Sequence, residues 1–595
     1  PAILLPHLTL VVSPLLALMK DQVDFLKSHN IPAASIDSTQ SREESNEIIQ
    51  GVKTGQIKIL MISVERLKNE RFREFIKQIT ISLLVIDEAH CISEWGHNFR
   101  PDYIKLPDYQ KQFNIKQVLL LTATATANVI EDMSREFSID KEHIITTGFY
   151  RKNLNIIVNP SIKSDKLNFL GHYLNSHQGQ ATIVYVTLQK TAENICNWLR
   201  QNGVIAEAYH AGLKNDLREQ IQERFMNSDN HCIIATIAFG MGIDKNNIRH
   251  VIHYDLPKSI ENYAQEIGRA GRDGESSNCL LLANENGINI LENFVYGDTP
   301  ELSGIKIVLN EIKQTSNIWE VLSNPLSSQS NIRLLALKTL LVYLEIKGII
   351  QSKYSYYAEY KFKFLISEND IIQKFKGERQ VFIQAVFQHS HKAKIWNTLD
   401  FEQLLKNYPT DRQRVIIALD YLQENGWIIL ENKQMTDVYQ VLNNQFDINI
   451  LATELYEKFK HKEQAQIQRI KEMLTLFQSS HCLSKQLSHY FGDTQLTENC
   501  GHCSVCQGNY QIWPEAIENL SINPVELRLM TSKLNDAIMS QYAQPASIDL
   551  CCRYLCGITT PWLTKVRARK LGDFGRYEHY GYAEVYRVLG AKEQQ

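Results

Sequence analysis

Residues 81–90 read Ile-Ser-Leu-Leu-Val-Ile-Asp-Glu-Ala-His, an apolar run that ends abruptly in two acids. A continuous run of aliphatic residues predicts a strand buried on both faces, as in a parallel sheet. Ligands of parallel sheets bind beyond the carboxyl ends of the strands, where Asp87 and Glu88 stand. One carboxylate there can hold Mg²⁺ through water, and the other can orient a water that attacks a γ-phosphate. The alternative is a pair of acids that only caps a strand.

Further apolar runs on both sides of this stretch repeat the pattern. With 83–86 of that stretch they form two series, at 9–12, 58–62, 83–86 and 118–121, and again at 182–186, 232–235 and 251–254. Longer polar, helix-like segments separate the runs, which indicates parallel sheets covered by helices. The sequence therefore predicts an α/β fold with two parallel-sheet lobes, at 1–150 and 151–296, and a cleft between them.

Size and composition limit the possible classes of protein. The 595 residues are 44% hydrophobic and 22% charged, which is ordinary for globular protein and too long for one core. No uninterrupted apolar stretch of about 18 residues predicts a membrane span. The first residues contain neither a basic segment nor a Met, so we expect no secretory signal, an incomplete chain and a cytoplasmic location, nucleoid-associated if the organism is bacterial. The net charge of −3 means that any polyanion site must be local.

Helical periodicity dominates from residue 297 onward. The segment 332–346 is followed by a Gly and an aromatic, basic stretch, and a similar helix-then-hairpin pattern recurs at 412–440. Helix, turn, helix and β-wing are typical of a winged helix, which we predict for 297–450. At 361–364 strict Lys-Phe alternation puts rings on one strand face and amines on the other. That strand is either a wing on a DNA backbone or an ordinary half-buried strand, and we favour the second.

Four of the eleven cysteines are clustered: Cys482, Cys500, Cys503 and Cys506. Their spacing suits a closed tetrahedral Zn²⁺ site, since four thiolates fill the coordination sphere. The alternative is a set of unpaired structural thiols. We place a zinc-binding module at 451–510 and a helical module at 511–595. Near the end, residues 565–570 read Lys-Val-Arg-Ala-Arg-Lys, which is either a phosphate contact or a solvated helix face.

Several of these stretches resemble motifs of one family. Asp87 to His90, followed by Cys-Ile-Ser-Glu-Trp-Gly-His-Asn-Phe-Arg-Pro at 91–101, resembles the Walker B box and aromatic-rich loop of RecQ helicases. The other matches, in family order, are 12–15 with 19–22 (motif Ia), 121–125 (motif III), 239–244 (motif V) and 265–274 (motif VI). The cysteine cluster, with Tyr-Phe-Gly at 490–492, resembles the RecQ zinc module, in which the first Cys ends a helix. The resemblance implies that both lobes are RecA-like.

The resemblance also implies roles for individual residues. Arginines of motif VI would reach across the cleft and neutralise charge on the transferred phosphoryl group. Rings of the aromatic-rich loop would stack on a base beside a phosphate-binding Arg, although core packing is the alternative for Trp95. The implied catalytic residues are Asp87, Glu88, His90, Gln265, Arg269 and Arg272. The implied nucleotide-binding residues are Thr122, Thr124, Gly242 and Asp244, and the implied DNA contacts are Ser13, Trp95, Phe99 and Arg100.

The sequence departs from the family pattern in two respects. It contains no Gly-x-x-x-x-Gly-Lys-Ser/Thr phosphate loop, which in RecQ proteins precedes the residues that 1–5 resemble. We therefore expect a chain truncated at its N-terminus and unable, as given, to hydrolyse ATP. The family also places its zinc module directly after the second lobe, whereas here the winged-helix-like region lies between them. Strand-separation roles of the usual winged-helix hairpin cannot be transferred residue by residue.

Three functions remain open at this point. The first is an ATP-dependent DNA helicase of the RecQ kind, moving 3′ to 5′ by resemblance and acting in recombination and repair. The second is a DNA-binding or strand-annealing protein that does not hydrolyse ATP, and the third is an RNA-directed motor. The implied cofactors are ATP, Mg²⁺ and Zn²⁺. The implied partners are single-stranded DNA and duplex junctions, with repair or single-strand-binding proteins as further candidates, and the oligomeric state stays open.

Overall fold

A computed structural model describes residues 1–591 except 15, 38–39, 41, 94–99, 161–164, 241–242, 283–284, 394, 511–512 and 514–521. The first lobe is a five-stranded parallel sheet in the order β2-β3-β1-β4-β5. Its strands are β1 (Leu8–Val12), β2 (Ala33–Ile36), β3 (Ile59–Ile62), β4 (Ile81–Ile86) and β5 (Val118–Leu120). Its helices are α1 (Leu16–Ser28), α2 (Arg42–Lys53), α3 (Glu70–Lys77), α4 (Leu106–Gln112) and α5 (Ala127–Phe137). The apolar run at 81–86 is the buried strand β4, as predicted.

The second lobe is a six-stranded parallel sheet in the order β6-β11-β10-β7-β9-β8. Its strands are β6 (Leu154–Val158), β7 (Thr182–Tyr185), β8 (Ala206–Tyr209), β9 (Cys232–Ala235), β10 (His250–His253) and β11 (Ser277–Leu281). Its helices are α6 (Lys166–Ser176), α7 (Gln189–Gln201), α8 (Asn215–Asn227), α9 (Ile260–Ile267) and α10 (Ile288–Asp298). The two predicted parallel-sheet lobes are confirmed.

Between the second lobe and the cysteine cluster lie two winged-helix-like units that share one long β-ribbon. The elements of this region are α11 (Leu302–Gln314), β12 (Ile318–Leu322), α12 (Ser323–Ser330), α13 (Leu334–Ile346), β13 (Ile350–Phe364), α14 (Glu368–Gln373), α15 (Glu378–Gln388), β14 (Ser390–Lys392), β15 (Asn397–Leu399), α16 (Phe401–Asn407), α17 (Arg412–Glu424) and β16 (Ile428–Val441). The ribbon is the antiparallel pair of β13 and β16, which runs from Ile350 opposite Val441 to Phe364 opposite Ile428. Strand β12 extends one end of it and β15 the other.

Each end of the ribbon has its own core. The first unit, α11 to α13, packs Val308, Leu337 and Tyr439 together, and the second, α15 to α17, buries Phe362 among its helices. The alternation at 361–364 is therefore that of an ordinary half-buried strand, with Lys361 and Lys363 half-exposed on the other face. In the first unit α13 is buried along most of its length. Most of this helix is therefore not accessible for insertion into a DNA groove.

The remaining helices connect and cover these units. They are α18 (Ile448–Phe477), α19 (Leu483–Tyr490), α20 (Pro524–Tyr542), α21 (Ile548–Leu555), α22 (Pro561–Lys565) and α23 (Tyr582–Gly590). Helix α18 spans about 45 Å at 1.5 Å per residue, from the core of the first winged-helix-like unit to that of the second lobe. Cys482 precedes α19 and follows α18 by a short turn, so it begins a helix and does not end one. No described helix is long and apolar enough to cross a bilayer.

A buried ion pair joins the first lobe to the first winged-helix-like unit. Lys105, just after the segment 94–99, bonds Glu345 near the end of α13, and each side chain is only 12% exposed. Glu345 also accepts the backbone N–H of Ser352 at 2.7 Å. Burial lowers the pKa of Lys105 while Glu345 opposes that effect. The pair is therefore one of the contacts that join the two units, together with the hydrogen bond from Arg73 to the Lys353 carbonyl at 2.9 Å.

Lys105→Ala is expected to destabilise this junction by about 3 kcal/mol, because it leaves the buried Glu345 without its hydrogen-bonded cation and with only the charge of Lys68 nearby. The double variant Lys105→Met/Glu345→Gln should regain most of the loss, since it removes both charges and keeps an acceptor for Ser352. Lys77→Ala, which breaks an exposed pair with Glu74, is the control and should cost well under about 1 kcal/mol. Denaturant unfolding of the three variants measures the difference. Equal stability of Lys105→Ala and Lys77→Ala would contradict the assignment.

Candidate active site

The two acids after β4 lie where the sequence places them, at the carboxyl edge of the first sheet. The Asp87 carboxylate accepts the Ser13 hydroxyl at 3.1 Å and the Glu88 backbone N–H at 3.0 Å. Burial, followed by the neighbouring charge of Glu88, raises the pKa of Asp87. A half-buried pair of carboxylates suits a hard divalent cation, which relieves this repulsion. The donor set therefore fits Mg²⁺.

Ser13 corrects one expectation. We predicted it as a DNA contact, but it is fully buried at the end of β1 and its hydroxyl is used by Asp87. A side chain without solvent access cannot reach a nucleic-acid backbone in this arrangement. Its position instead orients the carboxylate.

Glu88 has a left-handed backbone, with φ of 49°. Such a conformation is uncommon outside Gly and persists where surrounding structure imposes it, often at functional sites. One constraint is visible: the Ala89 N–H donates to the Leu121 carbonyl at 2.9 Å, which ties the turn to the end of β5. The strain aims the side chain of Glu88 into the cleft.

His90 links the acids to the predicted motif III residues. Its Nδ1 lies 3.0 Å from Thr122 Oγ1 and 3.2 Å from Glu88 Oε2. Thr122 Oγ1 also accepts the backbone N–H of Thr124 at 3.2 Å. His90 therefore connects the segment after β5 to Glu88.

The second lobe meets these residues from α9. Gln265 Nε2 donates to Glu88 Oε1 at 3.3 Å, a hydrogen bond between the lobes. Beyond α9, the buried Arg269 bonds the Gly240 carbonyl, and Arg272 donates to the Ile243 carbonyl at 3.0 Å. Arg272 also pairs with Asp244 at 2.8 Å. Asp244, predicted to bind the cofactor, is thus placed as the partner of Arg272.

One cavity of about 1450 Å³ between the lobes brings together most of the predicted catalytic and nucleotide-binding residues. Its lining includes Glu88, Thr122, Thr124, Asp244, Gln265, Arg269 and Arg272. Asp87 and His90 do not line this cavity, but both contact Glu88, which does. Gly242 lies outside the described residues. The arrangement offers carboxylates from one lobe and guanidinium groups from the other, which is what an anionic ligand with a divalent cation requires.

Sequence reasoning missed Arg151, which holds the arginine-bearing turn. Its guanidinium donates to the Gly268 carbonyl at 3.1 Å and to the Gly271 carbonyl at 2.5 Å. Burial lowers the pKa of Arg151. It stands at the start of the second lobe in no recognisable pattern, so only the fold reveals its contact with 268–271.

The predicted nucleic-acid residues are only partly placed. Trp95 and Phe99 lie outside the described residues. Arg100 is half-exposed, with Nη1 3.9 Å from Glu65. It lines a second cavity, of about 540 Å³, that Glu88 and His90 also line. Arg100 therefore lies in the same cavity as Glu88 and His90, so a ligand bound to Arg100 would lie near them.

The four clustered cysteines converge as predicted. Their Sγ atoms all lie within 4.8 Å of one another, and Cys500 and Cys506 are 3.9 Å apart. Four thiolates around Zn²⁺ at about 2.3 Å would stand about 3.8 Å apart, so the donor set fits a tetrahedral structural site. All four cysteines are free of disulfides. The metal would cross-link the loop 500–506 to the start of α19.

The zinc module is attached to the connection between the lobes. Asp493 accepts the backbone N–H groups of Phe149 and Tyr150 at 2.6 and 3.1 Å, and these bonds lower the pKa of Asp493. Phe149 stacks on Phe491 with ring centroids 4.1 Å apart. On the loop itself, the Ser504 N–H donates to the Ile156 carbonyl of β6 at 2.9 Å. A loosened zinc module would therefore also loosen the connection at 149–150.

The protein is expected to contain one Zn²⁺ per chain, lost on Cys503→Ser, because Cys503 is a fully buried ligand. Loss of metal should expose 482–510 to proteolysis and lower solubility. Cys551→Ser, a half-buried cysteine outside the cluster, is the control and should retain zinc. Elemental analysis that finds no zinc in protein purified without chelators would rule the site out.

Three family models match the chain. The DEAD/DEAH box helicase model covers residues 4–133, the helicase conserved C-terminal domain covers 165–274, and the RecQ zinc-binding model covers 438–507. The helicase models thus coincide with the two lobes, and the zinc model includes the four cysteines.

Curated relatives resemble the chain over different lengths. The ATP-dependent DNA helicase RecQ of Bacillus subtilis is 45% identical over 283 residues, covering 47% of this chain and 48% of that protein. The protein of the same name from Pasteurella multocida is 40% identical over 281 residues, 47% of this chain and 44% of that protein. ATP-dependent DNA helicase Q-like 5 of Arabidopsis thaliana is 30% identical over 481 residues, 79% of this chain and 52% of that protein. The chain spans about half the length of these relatives.

Proposed function

Because the chain belongs to the RecQ family of superfamily 2 helicases, we propose that the full-length protein is an ATP-dependent DNA helicase that separates duplex strands, 3′ to 5′, in recombination and repair. The observation that carries this proposal is the cleft itself. Gln265 of one lobe bonds Glu88 of the other, and both lie in a cavity that Arg269 and Arg272 also line. Closure of such a cleft couples nucleotide state to movement of the lobes.

Each side chain has a task in this mechanism. Asp87, held by Ser13, would hold Mg²⁺, and Glu88 would orient the attacking water and accept its proton. Mg²⁺ supplies charge neutralisation at the phosphate oxygens when bound. Arg272 would leave Asp244 and turn toward the phosphates as the lobes close, because its present partner is an exposed carboxylate that competes weakly with a phosphate.

Coupling to DNA would use the contacts around His90. A strand held by Arg100, with Trp95 and Phe99 stacked on its bases, would displace the segment that follows the acids. His90 and Thr122 then transmit that displacement to Glu88. We infer that this is how DNA stimulates hydrolysis. Single-stranded DNA and duplex junctions are the proposed partners, with repair or single-strand-binding proteins further ones, in the cytoplasm or on a bacterial nucleoid.

A second candidate is a DNA-binding or strand-annealing protein that does not hydrolyse ATP.

ATP hydrolysis by the full-length protein, with and without nucleic acid, separates these candidates. The helicase proposal expects a slow basal rate that single-stranded DNA raises at least about tenfold. Stimulation by RNA of the same sequence but not by DNA would indicate an RNA-directed motor. DNA binding without any hydrolysis would favour the second candidate.

A further inference from the structure

Arg151 of the second lobe binds two peptide groups of the arginine-bearing turn. Its guanidinium donates to the carbonyls of Gly268 and Gly271, at 3.1 and 2.5 Å. These carbonyls belong to the peptide bonds immediately before Arg269 and Arg272. Because a peptide group is planar, a contact that holds its carbonyl also holds the direction in which the next residue leaves the backbone. Arg151 therefore constrains both arginines at their attachment to the turn.

The arginine-bearing turn is tightly enclosed at Gly271. This residue has a left-handed backbone, with φ of 51°, and a Cβ atom there would lie only 2.5 Å from Asn153 Nδ2 and 2.6 Å from the Glu275 carbonyl oxygen. Asn153 Nδ2 also donates to the Gly271 carbonyl, at 2.8 Å. The carbonyl before Arg272 therefore accepts hydrogen bonds from two side chains of one short segment, 151–153, which leads directly into β6.

The zinc module holds the backbone that precedes Arg151. The Asp493 carboxylate accepts the N–H groups of Phe149 and Tyr150, at 2.6 and 3.1 Å. The Tyr150 hydroxyl lies 2.9 Å from Nε2 of His502, on the loop that carries three of the cysteines. Because Arg151 follows Tyr150 directly, its backbone is held by the zinc module on one side and by β6 on the other.

The zinc module also forms part of the cavity between the lobes. Residues 149–151 line this cavity, and so do Ser484 and Ser488 of α19. Arg272 lines it as well. The contacts that hold the arginine-bearing turn thus lie at the site of the proposed chemistry and not at a remote surface.

We propose that Arg151 is a positioning residue for Arg272, and that Asp493 of the zinc module holds Arg151 in place. This inference rests on the proposed function, because it concerns the same hydrolysis. Both terminal nitrogens of Arg151 donate to the turn, so Arg151 acts through Arg272 and not on the phosphates. The zinc module thereby influences the rate of hydrolysis through the backbone at 149–150, without any contact to DNA.

Arg151→Ala in the full-length protein is expected to lower kcat about a hundredfold, because a displacement of about 1 Å in a group that stabilises the transition state has an effect of this size. KM should change by less than about threefold, since the turn binds the phosphates closely only in the closed state. Arg151→Lys should restore only part of the rate, because one ammonium cannot make the forked contact to both carbonyls.

The double variant Arg151→Ala/Arg272→Ala separates positioning from a general loss of stability. Once Arg272 is absent, little remains for Arg151 to position, so the double variant should hydrolyse ATP within about tenfold of the rate of Arg272→Ala. Defects that multiply in full would overturn the positioning role. The matched control is Arg200→Ala, which removes a second-lobe arginine whose Nε donates to the Ala206 carbonyl at 2.6 Å, and it should leave kcat unchanged.

Asp493→Ala tests the link to the zinc module. It should keep one Zn²⁺ per chain, because no cysteine is altered, and lower kcat about tenfold by loosening 149–150. Asp493→Asn keeps the size of the side chain but has one acceptor oxygen fewer, so it should show the same defect to a smaller degree. Asp411→Ala, which removes a carboxylate that accepts the Arg414 N–H at 2.8 Å in the second winged-helix-like unit, is the control.

Steady-state ATP turnover and zinc content, measured on each preparation, decide between the outcomes. Normal kcat in both Asp493 variants with zinc retained would overturn the link to the zinc module. Normal kcat in Arg151→Ala would overturn the positioning role, and a slow Arg272→Ala beside it would leave the proposed function intact. If the unaltered full-length protein does not hydrolyse ATP, the proposed function itself is wrong.

Discussion

Glu88→Gln in the full-length protein is expected to abolish ATP hydrolysis while nucleotide binding is retained. The substitution keeps the size of the side chain, and the amide can still pair with Gln265 across the cleft. It removes the proposed general base, a group whose contribution to the rate is typically about a hundred- to ten-thousandfold. The change also removes one charge beside Asp87, whose pKa is raised in part by Glu88. Cation binding at Asp87 should therefore persist.

Steady-state ATP turnover and binding of a fluorescent ATP analogue, measured on the same preparation, test this expectation. Glu136→Gln, an exposed acid of α5 in the same lobe, is the matched control and should hydrolyse at the unaltered rate. Near-normal turnover by Glu88→Gln would mean that another group activates the water. Loss of nucleotide binding together with turnover would instead make Glu88 a binding residue.

Arg272→Ala is expected to slow hydrolysis by about a thousandfold or more, the magnitude typical of an arginine that stabilises phosphoryl transfer. The expected defect lies in kcat and much less in KM, because in the proposed mechanism the guanidinium approaches the phosphates only when the lobes close. Arg272→Lys should rescue little, since a compact ammonium cannot make the paired contacts of a guanidinium. Arg269 is a different case: its buried contact with the Gly240 carbonyl gives it a positioning role as well.

Asp244→Asn tests whether Asp244 only holds Arg272 between turnovers or is itself needed for hydrolysis. If Asp244 only holds Arg272 between turnovers, the Asn variant should bind ATP and hydrolyse it within about tenfold of the normal rate. Arg224→Ala, which removes a second-lobe arginine from an exposed pair with Glu207, should leave turnover unchanged. Wild-type turnover by Arg272→Ala would remove this residue from the mechanism.

The two lobes could be predicted because buried parallel strands are continuous apolar runs that end in polar residues. The run 81–86 became β4, and Asp87 and Glu88 stand at its carboxyl end. Strands such as β2 and β8 were not singled out, since Ala-Ala-Ser-Ile and Ala-Glu-Ala-Tyr lack the bulk of a buried aliphatic run. They join the sheets because the backbone N–H and C=O groups on the outer side of β3 and β9 need hydrogen-bonding partners, which β2 and β8 supply.

Contacts between distant segments could not be predicted from any local pattern. The helix-then-hairpin pattern repeats along the sequence, but only the fold shows that β13 and β16 form one ribbon with a unit at each end. Ser13 resembled a DNA contact until its burial beside Asp87 was visible. Likewise, nothing near Asp493 indicates that its carboxylate binds the connection between the lobes.

Strand separation by the full-length protein tests the central claim most directly. A labelled duplex with a single-stranded 3′ tail should be unwound when ATP and Mg²⁺ are present, and not with a non-hydrolysable ATP analogue or by Glu88→Gln. A duplex with only a 5′ tail should be left intact. Displacement that proceeds equally without ATP, or no displacement by protein that binds both the tail and ATP, would contradict the account.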